Sequence, residues 1–228
     1  MNDNRVMIAP SLLAADYKDL KNEILRVYNG GADILHLDVM DGVFVKNISF
    51  GAPLIKSVRE VCDIPFDVHL MITEPIRYID AFVDAGADSI TVHYESTSRL
   101  GETLDKINDS GVKAALSIKP DTPLSVIVPY LDKIDMLLIM SVEPGFGGQK
   151  YISASTEKIR QARRLIKSSG RNIKIEVDGG ICPETIGEAS SAGADIFVAG
   201  TAIFKSENAE EYMSKLRMLA QKARYDEQ

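Results

Sequence analysis

At 228 residues, with 45% hydrophobic and 26% charged side chains, the chain is long enough for one sizeable core and reads as a single soluble globular domain over 1–228. Its formal net charge of −7 comes without a basic run or stripe, which argues against nucleic-acid and membrane-surface partners and in favour of small molecules. Cys62 and Cys182 form neither a disulfide framework nor a CxxC motif, and residues 1–5 lack the organisation of a signal peptide. No apolar run reaches the ~18 residues of a membrane span, so a reducing, cytoplasmic setting is expected, with both thiols buried or inert.

Eight short apolar runs lie at 6–9, 34–39, 66–71, 89–94, 113–118, 136–142, 174–177 and 196–199, each bounded by Gly, Pro, Asp or Asn. They alternate with helical periodicity at 17–28, 52–61, 75–85, 100–109, 124–131, 154–167 and 183–191, and an amphipathic helix closes the chain from 208 to about 223. Parallel strands need crossovers of this size. Gly31-Ala32-Asp33, Gly86-Ala87-Asp88 and Gly193-Ala194-Asp195 precede the second, fourth and eighth runs, and Asp135 stands similarly before the sixth. Each glycine reads as a left-handed helix stop followed by a strand start. Eight such units in this length predict a (β/α)₈ TIM barrel, for which ~250 residues is typical. A doubly wound open sheet is the competitor, but no GxGxxG opens the first crossover.

The stretch 34–42 carries the densest chemistry. Side chains alternate along a strand, so His36, Asp38 and Met40 share one face while Leu35, Leu37 and Val39 share the other. Asp41-Gly42 then signals a turn, which places the polar pair near the strand's C-terminal end, where barrel enzymes do chemistry. His69 on the third strand and Asp178 on the seventh, sharing a face with Glu176, are placed alike. His36, Asp38, His69 and Asp178 are therefore expected to converge at one rim as ligands for a divalent transition metal. His93 has Thr91 and Glu95 on its face and reads as a supporting or structural residue without an adjacent carboxylate partner.

Glycine-rich turns follow the last three strands: Gly145-Phe146-Gly147-Gly148, Asp178-Gly179-Gly180 and Gly200-Thr201-Ala202. Missing Cβ atoms let backbone N–H groups approach an anion, and barrels commonly hold phosphate after strands seven and eight, so phosphate binding is expected after strands six, seven and eight. The long polar loop at 143–155 is read as a candidate lid. Met40, Met71 and Met140 end strands two, three and six; they read equally as core filling and as a wall excluding water from the site.

With Ala9-Pro10-Ser11-Leu12-Leu13, His36-Leu37-Asp38-Val39-Met40-Asp41-Gly42, Asp67-Val68-His69-Leu70-Met71, Val142-Glu143-Pro144-Gly145-Phe146-Gly147-Gly148-Gln149 and Glu176-Val177-Asp178-Gly179-Gly180, the chain resembles the ribulose-phosphate 3-epimerase family over nearly its full length. The resemblance implies a barrel enzyme that interconverts D-ribulose 5-phosphate and D-xylulose 5-phosphate. It implies one divalent metal ion per subunit (Zn²⁺, Fe²⁺, Mn²⁺ or Co²⁺) on His36, Asp38, His69 and Asp178, with Asp38 and Asp178 as acid and base. By the same resemblance Ser11 and His69 contact the sugar, the three glycine turns with Gly200 and Thr201 hold the phosphate, and the protein is a homo-oligomer. Two positions depart from the family pattern: Lys46 stands where Pro is frequent, and Lys119 stands where Asn is frequent at the end of strand five, a position that bears on substrate preference.

Epimerisation beside a carbonyl removes a C–H proton from one face and returns one from the other, so it needs two opposed groups. Asp38 and Asp178, on strands two and seven, suit that task. Three rivals are separable. An epimerase for a six-carbon ketose phosphate such as allulose 6-phosphate would use the same acids, and kcat/KM distinguishes it. Related barrel decarboxylases and synthases carry an Asp-x-Lys-x-x-Asp run that is missing after Asp38, and a non-catalytic sugar-phosphate binder would show no C3 proton exchange.

Overall fold

The computed structural model describes residues 5–225, so residues 1–4 and 226–228 lie outside it. Eight parallel strands form the sheet: β1 (Met7–Pro10), β2 (Leu35–Met40), β3 (Phe66–Met71), β4 (Ser89–His93), β5 (Lys113–Ile118), β6 (Met136–Met140), β7 (Lys174–Asp178) and β8 (Ile196–Ala199). Each lies within two residues of its expected position. Around them run α1 (Leu20–Asn29), α2 (Ala52–Arg59), α3 (Ile79–Asp84), α4 (Leu100–Asp109), α5 (Ala154–Ser169) and α6 (Ile186–Ser191), with α7 (Thr201–Phe204) and α8 (Ala209–Tyr225) after β8.

The strand order is β1-β8-β7-β6-β5-β4-β3-β2, and the remaining seam between β1 and β2 is bridged where Ser11 pairs with His36, so the sheet is a TIM barrel. The predicted helix at 124–131 is instead a 3₁₀ segment, Leu124–Tyr130. Pro129 lies inside it, and proline lacks the N–H and crowds the carbonyl four residues back, which breaks an α-helical ladder. The helices expected at 17–28 and 75–85 likewise begin as 3₁₀ turns, Tyr17–Asp19 and Pro75–Arg77, and that expected at 183–191 starts at Ile186.

The repeated aspartates explain how the strands are registered. Asp33, Asp88, Asp135 and Asp195 each use a side-chain oxygen to accept the backbone N–H of Ile8, Phe66, Ala114 and Ile175 at 2.9, 2.7, 3.2 and 2.9 Å. Their own N–H groups return to the carbonyls of the same four residues at 3.0, 3.0, 2.8 and 2.7 Å. Four two-pronged clamps therefore tie β1 to β2, β3 to β4, β5 to β6 and β7 to β8 at the N-terminal foot of the barrel. The glycines of the motif take positive φ, +85° at Gly31, +95° at Gly86 and +112° at Gly193, as a left-handed helix stop requires.

Outward strand residues such as Leu37, Val68, Ile90, Leu116 and Val177 pack against the helices in the main core. Inside, the foot is plugged by Ala9, Ala115, Met136, Ile196 and Val198. Above that plug the interior turns polar, and His36, Asp38, Asp67, His69, Thr91, His93 and Glu176 are all buried. Burying that much unlike chemistry costs stability unless it is paired, which marks this layer as functional. Among the described residues no helix is long and apolar enough to cross a membrane.

Candidate active site

Strand register builds the polar layer. Asp38 lies opposite His69, His36 opposite Asp67, and Met140 opposite Asp178, while the β1–β2 bridge sets Ser11 beside His36. His36 Nε2 is 3.2 Å from Asp38 Oδ1 and 3.3 Å from His69 Nδ1; that nitrogen in turn is 3.0 Å from Asp38 Oδ1 and 4.0 Å from Asp178 Oδ2. One donor atom from each of these four residues falls within 4.8 Å of all the others. Atoms that would each sit about 2.0–2.2 Å from a shared cation are spaced in this way, and two imidazoles with two carboxylates are a suitable donor set, so the residues fit a divalent metal.

The nitrogens facing away from the cluster have neighbours too. His36 Nδ1 lies 2.8 Å from Asp67 Oδ2, with its N–H poorly aligned, and Asp67 Oδ1 accepts from Ser89 and Thr91 hydroxyls at 2.8 and 2.9 Å. His69 Nε2 meets His93 Nε2 at 2.8 Å. His93 does have a carboxylate partner, contrary to the sequence expectation: Glu95 Oε2 stands 3.3 Å from its Nδ1. The short 3₁₀ turn Tyr94–Ser96 that ends β4 folds the glutamate back onto the histidine.

The two aspartates differ in proton affinity. Burial works against the Asp38 carboxylate, but His36 and His69 beside it hold it far below the usual range, and Ser11 Oγ donates to its Oδ2 at 2.6 Å. At Asp178 burial, and then the negative charge of Asp38, push the pKa up to about 6. Burial, then Asp67, push Glu176 up to about 8, and neither of its oxygens has a hydrogen-bond partner among the described residues. Burial pulls His93 down to about 4, so this imidazole is neutral at physiological pH.

Above the cluster opens a cavity of about 890 Å³. Its lining includes Ser11, Asp38, Met40, Met71, Met140, Asp178 and every glycine of the three turns together with Phe146 and Thr201, whereas His36 and His69 lie buried beneath its floor. The turns converge. A Cβ on Gly148 would lie 3.8 Å from Thr201 Oγ1, and one on Gly180, whose φ is +65°, would fall 2.2 Å from the Tyr151 backbone nitrogen. Only glycine allows the turn after β7 to sit so close to the end of the loop after β6. That loop is tied within itself by Gln149 Nε2, which donates to the carbonyls of Glu143 and Phe146 at 2.6 and 2.9 Å, and to the loop after β2 by Asn47 Nδ2, which donates to Gly145 O at 2.9 Å.

Asn47, Cys182, Thr185 and Lys205 also line the cavity and carried no sequence signal, because each reaches it through loop geometry rather than strand alternation. Cys62 is buried as expected, but Cys182 is only partly so and faces the cavity beside Thr185. Lys119 does not line it; its Nζ sits over the Phe44 ring, 4.3 Å from the centroid. Lys46 is exposed and outside the lining as well.

Polar donors gathered at the C-terminal ends of barrel strands, under glycine-rich loops, are the arrangement of a TIM-barrel enzyme. Residues 7–204 match the model of the ribulose-phosphate 3 epimerase family. A ribulose-phosphate 3-epimerase of Bacillus subtilis (strain 168) is 46% identical over 213 residues, covering 93% of this chain and 98% of the relative. That of Escherichia coli (strain K12) is 43% identical over 212 residues, covering 92% and 94%. The chain belongs to the ribulose-phosphate 3-epimerase family and is an isomerase. Among solved structures, 3-keto-L-gulonate-6-phosphate decarboxylase from Vibrio cholerae superposes with a TM-score of 0.74 over 96% of this chain and 98% of its own at 18% identity, a likeness of fold.

Proposed function

We propose that this chain interconverts D-ribulose 5-phosphate and D-xylulose 5-phosphate by exchanging the C3 proton between Asp38 and Asp178 through an enediolate. The observation that carries the reading is the convergence of these two carboxyls, from β2 and β7, at one cavity floor within the four-residue donor cluster. Epimerisation with inversion needs one carboxylate to take the C3 proton and a second carboxyl group to return one, and the reverse reaction exchanges their roles. Ser11 fixes Asp38 through Oδ2, which leaves Oδ1 turned toward the two histidines.

His36, Asp38, His69 and Asp178 would hold the divalent cation, and Zn²⁺, Fe²⁺, Mn²⁺ and Co²⁺ all suit this set. When bound, the cation supplies Lewis-acid stabilisation of the negative charge that develops on the substrate oxygens. The glycine turns after β6, β7 and β8 present backbone N–H groups to the phosphate, so binding energy remote from C3 holds that carbon between the carboxyls. Met40, Met71 and Met140 wall the cavity with apolar thioethers and limit water beside the reacting carbon. Family resemblance and the two free thiols support the further parts of this proposal, a single-domain, homo-oligomeric, cytoplasmic enzyme.

The test is incubation with D-ribulose 5-phosphate in D₂O, with chelation followed by metal return, monitored at C3 by NMR. Metal-dependent formation of xylulose 5-phosphate deuterated at C3 is expected. Folded, metal-loaded protein that yields neither exchange nor product would overturn the reading.

A further inference from the structure

We infer that His93, held by Glu95, is a positioning residue that fixes the tautomer of His69 and so turns the His69 Nδ1 lone pair toward the four-residue donor cluster. The inference rests on the metal reading of that cluster proposed above. His69 Nδ1 looks inward, 3.0 Å from Asp38 Oδ1, while Nε2 points away to His93 Nε2 at 2.8 Å. The two rings are inclined by 25° with centroids 5.0 Å apart, so they meet nearly edge to edge. Only one proton fits between two imidazole nitrogens at that distance, and its position sets the tautomer of both rings.

A lone pair on His69 Nδ1 leaves that ring's proton on Nε2, donating to His93. His93 Nε2 must then accept, which places its own proton on Nδ1, facing Glu95 Oε2 at 3.3 Å. Glu95 is built to accept it. The Lys119 backbone N–H, at 2.9 Å, and the Thr122 hydroxyl both donate to its other oxygen, Oε1. The loop that supplies them is itself held by Lys158 Nζ, which donates to the Lys119 and Thr122 carbonyls at 3.2 and 2.8 Å. The Phe44 ring covers the buried His93 with centroids 4.9 Å apart. The two inward-facing imidazoles are therefore oriented differently: His36 faces a carboxylate directly, and His69 is oriented by one through a second imidazole. Partners of this kind fix the orientation of metal-binding histidines, and their loss typically weakens metal affinity about 10–100-fold.

Glu95→Gln is a sharp probe. With Oε1 engaged by Lys119 and Thr122, the amide nitrogen would take the place of Oε2 and donate to His93 Nδ1, so the His93 proton would move to Nε2 and confront the one on His69. The chain has only three histidines, all in this cluster, which makes long-range ¹H–¹⁵N spectra of ¹⁵N-histidine protein simple to assign. In the Zn²⁺-loaded wild type, His69 is expected protonated on Nε2 and His93 on Nδ1. Zn²⁺ titration against a competing chelator should show Kd raised about 10–100-fold in E95Q and in H93F, with part of the loss recovered in H93Q, whose carbonyl can still accept. His93 protonated on Nε2 in the loaded wild type, or unchanged Kd in the variants, would overturn the proposal alone. No Zn²⁺ binding by wild type would overturn the metal reading and this proposal with it. Thermal unfolding of the chelated variants checks folding; if H93F does not fold, E95Q and the wild-type spectra still decide.

Discussion

Ser11 and Asp38 are joined by a 2.6 Å hydrogen bond across the seam where the barrel closes, the hydroxyl donating to Oδ2. Ser11→Ala leaves a buried carboxylate oxygen without that donor. Hydrogen bonds to charged groups are worth about 1.5–3 kcal/mol, so folding stability should fall by about that much, and kcat/KM should fall as well because the Asp38 carboxylate is no longer held in its orientation. Steady-state epimerisation kinetics beside a thermal melt check this, the melt separating a lost alignment from a lost fold.

Asp38→Asn and Asp178→Asn keep the shape of each side chain and remove its acid–base chemistry. Positioned proton transfer contributes about 10²–10⁴-fold, and each variant should lose at least that in turnover while remaining folded. Near-wild-type activity in either one would rule out the two-base scheme.

The metal-free protein should become less stable as pH rises from about 6.5 to about 8. Despite burial, Asp38 and the other neighbouring carboxylates hold His36 well above its ordinary 6.5, and burial holds Glu176 up to about 8. Over that window the folded state keeps protons that the unfolded chain has released, so stability declines with pH. Below about 6.5 His93, lowered to about 4, contributes with the opposite sign. Metal binding requires deprotonated donors, so the rise in Tm on adding Zn²⁺ should grow across the same window. A metal-free Tm that is flat or climbs between pH 6.5 and 8 would contradict these assignments.

Gly180→Ala places a methyl group against the Tyr151 backbone in a left-handed conformation. The backbone strain alone costs about 1–3 kcal/mol, and displacement of the turn should raise KM and weaken inhibition by inorganic phosphate more than it lowers kcat. Gly111→Ala is the control. Gly111 also has positive φ, +79°, but a Cβ there meets nothing within 4 Å, and it lies before β5 at the foot of the barrel. It should lose stability with KM unchanged.

Strand alternation made His36, Asp38, His69 and Asp178 legible in the sequence, because a period of two and a common strand direction are enough to bring their side chains to one rim. Glu95 was placed on the His93 face, but its contact was not legible. It depends on a 3₁₀ turn that folds the chain back by two residues, and on partners from the loop after β5. The segment at 124–131 has a helical period in its apolar residues, but Pro129 inside it lacks the N–H an α-helical ladder needs, and the 3₁₀ form results. Asn47 and Thr185 reach the cavity only through tertiary packing of loops, for which no local spacing exists.

The aspartate clamps at the foot of the barrel bear on how the chain folds. Each joins residues only 20–25 positions apart, so the loop it closes is short and its closure entropy small, whereas the pairing of Met7 with Ile196 joins the two ends of the sheet. Four locally stapled βαβ units are thus favoured to close ahead of the long-range pairing of β1 with β8, and the bond between Ser11 and Asp38, only 27 positions apart, falls within the first of them. Asp38 on β2 meets Asp178 on β7 only once the whole sheet has curled round, so catalytic competence in this chain is a property of ring closure.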